Sequence, residues 1–352
     1  MRWDNLKLDD TSSVAGPPPP AAALFERGAV ARTFDTPGFR GITFYEIQAR
    51  SIINKVPAAS RVPFRWTINP YRGCSHACRY CFARNTHTYL DFDAGLDFDS
   101  KIVVKVNAPE LARKELAAPR WQREHVAMGT NVDPYQRGEG RYRLMPGIIS
   151  ALRDAANPFS ILTKGTLILR DIDLLLETAQ VTDVGLNVSV GSVDKELWRL
   201  VEPGTPSPRR RLGVCAALTD NGLGCGVLMA PIIPYLSDSP SQLAETVREI
   251  AAAGASHVSP IVLHLRPGAR EWFSAWLREH HPRLVPAYRE LYGNGSYARK
   301  PYQQRIGDQV RELAEHHGVG RVRAGAARKG QGQAAAVHPP ADISRHEQLT
   351  LL

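Results

Sequence analysis

The middle of the chain alternates short, almost wholly apolar runs with longer segments of helical period. The runs are RWTINPY, EHVAMGT, FSILTKG, VGLNVSVGS, CGVLMAPIIP and HVSPIVLHL, rich in valine and isoleucine. They are apolar on both faces, as strands of a buried parallel sheet are. A further run, SKIVVKV, lies between the first two and predicts an edge or inserted strand. The intervening segments carry helix signals. In SPSQLAETVREIAAAGA, Ser239 caps, Pro240 takes the first helical position and Gln242 completes a capping box. Leu243, Val247 and Ile250 line one face, and Gly254 stops the helix. Ser207, Pro208 and Gly222 repeat the design around SPRRRLGVCAALTDNG. Trp272, Trp276 and Leu277 also have helical spacing and predict a packed amphipathic helix, with base stacking as the other use for such aromatics. Six strand–helix units in series predict an α/β fold, a right-handed βα array closing into an open barrel rather than the eight-fold one.

Both ends break this pattern. SSVAGPPPPAAA has too few large apolar residues to pack, so residues 1–40 are expected to be a flexible leader, with structure beginning near GITFYEI. Residues 324–352 are Gly/Ala/Pro-rich and are expected to be a flexible tail. One domain should cover 41–323, with the barrel core at about 64–265. MRWDNLKLDD has no apolar signal core, and no run approaches the roughly 18 apolar residues of a membrane helix. A cytoplasmic protein without a membrane partner is therefore expected.

Composition adds two constraints. Forty-four basic residues against 35 acidic ones give a net charge of +9. That favours anionic partners such as DNA, although a basic proteome produces the same figure. Five cysteines, three of them clustered, argue against a disulfide framework and for a reducing compartment.

The clustered three are Cys74, Cys78 and Cys81 in YRGCSHACRYCFAR, spaced C-x3-C-x2-C after the first predicted strand. Loops at the carboxyl ends of strands are where α/β folds build their sites. A zinc knuckle needs a fourth ligand, for which His76 and His87 are the nearest residues, His76 at awkward reach. Cys215 and Cys225 fall on apolar positions and read as core. A [4Fe–4S] cluster with one open iron needs only three thiolates. Arg72, Arg79 and Arg84 around the cysteines would contact phosphates or tune a cluster's potential.

This spacing, with Tyr80 just before the last cysteine, resembles the signature of radical S-adenosylmethionine (SAM) enzymes. TINPYRGCSHACRYCFAR, GTNVDPYQRGEGRYRL, LTKG and LVEPGTPSPRRRL together resemble the branch that includes spore photoproduct lyase and relatives labelled DNA repair photolyases. The match runs from about Gly41 to beyond Arg266. The resemblance implies a partial (β/α)6 barrel and a [4Fe–4S] cluster on the three cysteines. It implies SAM on the open iron and an electron donor such as flavodoxin or ferredoxin. Reductive cleavage of SAM would then yield a 5′-deoxyadenosyl radical that abstracts hydrogen from a substrate. By the same resemblance Tyr80 packs over the adenine, and Gly129, Thr130 and Asn131 stand where the SAM amino group is bound, without the usual glutamate. Lys164 would pair with the SAM carboxylate, or else be a strand-end surface lysine, and Ser189 would be a polar SAM contact. Asp133, in DPY, is a candidate catalytic carboxylate, with turn chemistry as the alternative. Glu202 and the run Arg209 to Arg211 match the branch without an assigned role, and such a basic run at a helix start ordinarily forms a solvated face.

One departure bears on the reaction. Spore photoproduct lyases use a cysteine downstream of the cluster as hydrogen donor, and none stands here between Cys81 and Cys215. The expectation is therefore a different lesion, a different donor such as Tyr135, or an unrelated substrate. Two alternatives stand beside a DNA-directed enzyme. One is a radical SAM enzyme that modifies a protein or metabolite, and the other is a non-enzymatic iron–sulfur or zinc sensor docked on DNA machinery. The final EQLTLL resembles the peptide by which bacterial polymerases and repair proteins bind the replication sliding clamp, with Gln348, Leu349, Leu351 and Leu352 at the matching positions. An incidental apolar terminus is its alternative reading.

Overall fold

In the computed structural model, which describes residues 28–57, 60 and 62–319, the six apolar runs pair side by side in one sheet. In chain order the strands are β1 (Val30–Arg32), β2 (Thr43–Ile47), β3 (Ile53–Lys55), β4 (Trp66–Ile68), β5 (Tyr71–Arg72), β6 (Lys101–Lys105), β7 (Val126–Met128), β8 (Phe159–Thr163), β9 (Val184–Ser189), β10 (Cys225–Ile232) and β11 (Val258–Val262). The larger sheet has the order β11-β10-β9-β8-β7-β4-β3. From β4 to β11 every neighbour is parallel, and β3 caps the edge antiparallel to β4. This is the expected open array of six βα units, and it places six strand ends on one mouth.

The apolar runs fold this way because both sheet faces are covered. Val126, Met128, Ile161, Val188, Val227 and Met229 are all buried. The helices start and stop where their caps predict. Ser207 accepts from the Arg210 amide at the head of Pro208–Asp220, and Ser239 and Gln242 form the capping box of Pro240–Ala252. The helix Ala269–His280 buries Phe273, Trp276 and Leu277. Trp272 is half-buried on the same helix, where Arg79 and Arg84 lie over its ring. Cys215 and Cys225 are fully buried between the Pro208–Asp220 helix and β10, as expected of core residues.

Two expectations need correction. Residues 30–39 belong to the fold and not to a flexible leader, because β1 pairs with β2, and Phe34 packs at a tilt against Phe39 and Phe44. The SKIVVKV run is β6, an interior strand of a second sheet of order β1-β2-β6-β5, with Ile102, Val103 and Val104 all buried. The outer strands of that sheet, β1 and β5, are three and two residues long, too short to announce themselves by pattern. Residues 324–352, and with them the clamp-like motif, lie outside the described residues. Among the described residues no helix is long and apolar enough to cross a membrane.

Candidate cofactor site

The cysteine loop is tied down mainly by groups from other elements. Gln136 bridges it, accepting from the Ser75 amide at 2.9 Å and donating to Gly73 O at 3.0 Å. The Cys74 amide donates to Phe98 O at 3.0 Å, and the Arg79 amide donates to Val201 O at 2.9 Å. Arg84, fully buried, donates to Cys78 O at 2.9 Å while a bidentate pair with Asp99 fixes its guanidinium. Arg84 is therefore a clamp on the cysteine loop and has no free face for a phosphate. The Gly204 amide donates to His76 O at 3.1 Å, and a Cβ there would stand 2.2 Å from Ser75 O. Only glycine lets the Glu202 segment lie this close to the cysteine loop.

Cys74 and Cys78 are buried and Cys81 is half-buried, and none is in a disulfide. Burial pushes all three thiols up, and a nearby carboxylate, Asp133 for Cys74 and Glu202 for Cys78, adds to the rise ahead of the neighbouring cysteines. Lys164 and Arg211 act on Cys78 in the opposite direction.

The loops after the next strands converge on the same mouth. Gly129 and Thr130 follow β7, and Gly129 has φ +91° with the position of a Cβ only 1.8 Å from Leu162 O. The Thr130 hydroxyl is buried without a hydrogen-bond partner among the described residues, and so is that of Ser75. Asn131 is exposed just beyond. Lys164 follows β8 and Ser189 ends β9. The Lys164 ammonium donates to the Ser189 hydroxyl, reaches Ala230 O at 3.4 Å and lies 3.4 Å from Glu202 Oε1. It is thus a half-buried, paired strand-end cation and not a free surface lysine.

Glu202 is the hub of this cluster. Its carboxylate accepts from the Tyr80 hydroxyl and from the Arg211 guanidinium, and Arg211 also donates to Ser189 O at 2.6 Å. Burial alone would raise the Glu202 carboxyl, but Arg211 and Lys164 outweigh it and hold the pKa down to about 2. A narrow cavity opens beside the hub, lined by Tyr80, Gly191, Ser192, Asp194, Glu202 and Pro231.

Three site expectations change. The Asp133 carboxylate accepts from the Tyr135 amide at 2.9 Å, as turn chemistry predicts. It also accepts from the Thr163 hydroxyl and the Lys164 amide, both at 2.6 Å, and lies 3.3 Å from His76 Nδ1. Burial would raise its pKa, yet these partners leave it below the usual value. Asp133 therefore positions the ends of β7 and β8 against the cysteine loop and is not a free proton acceptor. Tyr135 is buried, with its hydroxyl donated to Asp171 at 3.0 Å, so it faces the core and not the thiols. The basic run splits: Arg209 and Arg210 are exposed as expected, but Arg211 is buried in the hub. The signal was present, since Arg211 shares the inward helical stripe of Pro208, Leu212 and Cys215.

The donor set fits the expected group. Three thiols on one loop, cations at the mouth and two orphaned hydroxyls, those of Ser75 and Thr130, would each gain partners from an iron–sulfur cluster and a polar ligand beside it. Among the described residues no three His, Cys, Asp or Glu side chains converge as ligands of a single metal ion do. Cysteines on separate corners of a cubane need no such convergence.

Residues 68–258 match the family described as the radical SAM superfamily. A protein of Mycobacterium tuberculosis is 50% identical over 315 residues, which is 89% of this chain and 92% of its own length. A protein of Methanocaldococcus jannaschii is 31% identical over 207 residues, 58% of this chain and 73% of its own. Among solved structures, spore photoproduct lyase complexed with dinucleoside spore photoproduct superposes with a TM-score of 0.59, over 79% of this chain and 80% of that one, at 17% identity. At that identity the likeness speaks for the fold.

Proposed function

Because this chain belongs to the radical SAM superfamily, we propose that it is a cytoplasmic enzyme that cleaves SAM reductively and acts on nucleic acid. The observation that carries the chemistry is the convergence of three buried thiols with Lys164, Ser189 and Glu202 at one mouth. Cys74, Cys78 and Cys81 would hold a [4Fe–4S] cluster, and Tyr80, Thr130, Lys164 and Ser189 would face SAM. When bound, the cluster supplies the electron that splits SAM into methionine and a 5′-deoxyadenosyl radical able to abstract hydrogen from a substrate.

The chain's own residues do the positioning. Gln136, Arg84 and Gly204 hold the cysteine loop in one shape, so that three sulfurs need not be ordered on loading. Lys164 and Arg211 carry two positive charges against the single negative charge of Glu202. That surplus favours an anionic group at the mouth, including a carboxylate. The buried Tyr80 ring and the apolar strand ends exclude water from where a radical would form.

Nucleic acid as substrate is supported by the net charge of +9 and by the dinucleoside bound to the related lyase fold. The terminal Gln348, Leu349, Leu351 and Leu352 add a second partner to the proposal, the replication sliding clamp, which would hold a tethered enzyme at DNA. Anaerobic reconstitution with iron and sulfide, followed by EPR with and without SAM, tests the chemistry. A reduced-cluster signal perturbed by SAM, slow 5′-deoxyadenosine release and loss of both in Cys78→Ala are expected. A cluster indifferent to SAM would favour the sensor alternative. Deleting residues 348–352 should abolish clamp pull-down, and an intact protein that fails to bind the clamp removes that partner.

A further inference from the structure

The sixth strand ends in a feature that the cofactor site does not use. After β11 the chain runs through His264 and Arg266 into the helix Ala269–His280, and a bridge pairs His264 with Tyr297. These residues meet Phe82, the neighbour of Cys81. The Phe82 and His264 rings are 5.4 Å apart, and His264 stacks on Tyr297 at 5.7 Å with 21° between planes. The Arg266 guanidinium lies 5.5 Å from the Phe82 centroid and donates to the Tyr297 hydroxyl at 3.2 Å. The four side chains form one continuous ladder from the cysteine-bearing segment after β5 to the loop after β11.

The ladder is not a sealed core. Tyr297 is 43% exposed and Arg266 is exposed, while Phe82 and His264 are half-buried beneath them. Burial and the nearby Arg266 charge hold the His264 pKa near 4, so at neutral pH the ring is an uncharged aromatic plate. The two segments that build the ledge, residues 264–271 and 290–300, carry four basic residues, Arg266, Arg270, Arg299 and Lys300, against Glu271 and Glu290. A stack of aromatic planes with an arginine at its edge and surplus positive charge around it is the chemistry that receives a nucleobase and its phosphate.

We propose that Phe82, His264, Arg266 and Tyr297 form a stacking ledge for an unpaired nucleobase of the nucleic acid presented to the radical site. It rests on the nucleic-acid reading above and adds to it the residues that seat the base. The ledge begins one residue from the third cysteine, so a base held there lies beside the mouth and not on a remote face.

The test is fluorescence anisotropy with the reconstituted full-length protein and labelled oligothymidylate, single-stranded and as a duplex. The wild type should prefer the single strand. Tyr297→Ala should weaken that binding roughly 5- to 150-fold, the range for loss of one stacked base, and Tyr297→Phe should restore it to within about threefold of wild type. Arg266→Gln should lower the salt slope by about one. The cluster EPR spectrum should be unchanged in Tyr297→Ala, which shows that the mouth is intact. Wild-type binding with Tyr297→Ala equally tight and equally salt-dependent overturns the ledge and leaves the nucleic-acid reading standing. A wild type that binds neither strand at about 50 mM salt, where electrostatic binding is strong, overturns both.

Discussion

Two buried glutamates in this barrel have nearly the same partners and opposite characters. Glu139 accepts from the Tyr71 hydroxyl at 2.5 Å, from Arg170 at 2.8 Å and from the amides of Leu144 and Met145. Glu202 accepts from the Tyr80 hydroxyl and from Arg211, with Lys164 at 3.4 Å. Yet burial wins at Glu139 and raises its pKa, whereas the cations win at Glu202 and depress it. The difference lies in how the positive charge is shared. Arg170 divides itself between Glu139 and Asp171 and is partly exposed, so that cluster is net negative. Arg211 is buried and Lys164 adds a second cation, so the Glu202 cluster is net positive. The first is a structural knot in the barrel wall. The second offers charge to whatever enters the mouth.

The sharpest way to break this contrast is to neutralise each carboxylate. Glu202→Gln leaves the buried Arg211 and the half-buried Lys164 without their counter-charge and should cost roughly 3 kcal/mol at pH 7. Glu139→Gln should cost about 1 kcal/mol or less, because burial already works against the charged carboxylate that the amide replaces. The pH courses should run in opposite directions. The Glu202 contribution is present above the ordinary value of 4.5 and is lost as pH falls toward 2. The wild type should therefore approach Glu202→Gln across that window. Glu139 has its folded value above 4.5, so its carboxyl is most favourable at low pH and loses that advantage as pH rises through the raised value. Urea melts of the cluster-free chain from pH 3 to 7 read both, and equal losses with parallel pH courses would erase the distinction.

A smaller effect is expected from exchanging each arginine for lysine. Arg211 spans Glu202 and Ser189 O, which a point ammonium cannot do. Arg211→Lys should cost about 2 kcal/mol. Arg170→Lys should cost under about 1 kcal/mol, since Glu139 keeps two backbone amides and Arg170 is partly solvated. Thermal melts of the two variants would show the gap, and a reversed order would mean that Arg170 and not Arg211 is the critical cation.

The same two clusters show what the sequence could and could not disclose. The six parallel strands were legible because burial on both faces leaves an uninterrupted apolar run, and the helix at 240–252 because its capping box is local. The thiol loop was legible from spacing alone. The helical stripe could have turned Arg211 inward, but its pairing with Glu202 was not legible, since it depends on nine residues of chain folding back. Asp133 and Tyr135 were read as chemical groups because DPY follows the second barrel strand, in the stretch where the resemblance places the SAM contact and the hydrogen donor. Their partners, Thr163 and Asp171, come from the next βα unit and lie 30 and 36 residues away. The second sheet was missed for a related reason: β6 reads as a strand, but the short strands on either side of its sheet carry no period.

The smallest expected change separates the clusters by function. Ser189→Ala removes the hydroxyl that accepts from Lys164 and donates to Ala230 O at 2.9 Å. Tyr135→Phe removes the hydroxyl that donates to Asp171 in the other cluster. Each deletes hydrogen bonding in a buried network, and each should cost about 1 kcal/mol of stability. Their consequences at the mouth should differ. Without Ser189 the Lys164 ammonium keeps Glu202, a long contact to Ala230 O and the Tyr80 ring face at 5.9 Å. It is then less fixed when a carboxylate must be met, and SAM binding should weaken about fivefold, the equivalent of 1 kcal/mol. Tyr135→Phe should leave SAM affinity unchanged, because among the described residues no side-chain hydrogen bond of Tyr135, Asp171, Arg170 or Glu139 reaches Lys164 or the thiols, and the Tyr135 amide bond to Asp133 survives the change. Anaerobic titration calorimetry on both reconstituted variants measures this directly. If Tyr135→Phe weakens SAM as much as Ser189→Ala does, the two glutamate clusters act as one coupled unit and the division between wall and mouth is wrong.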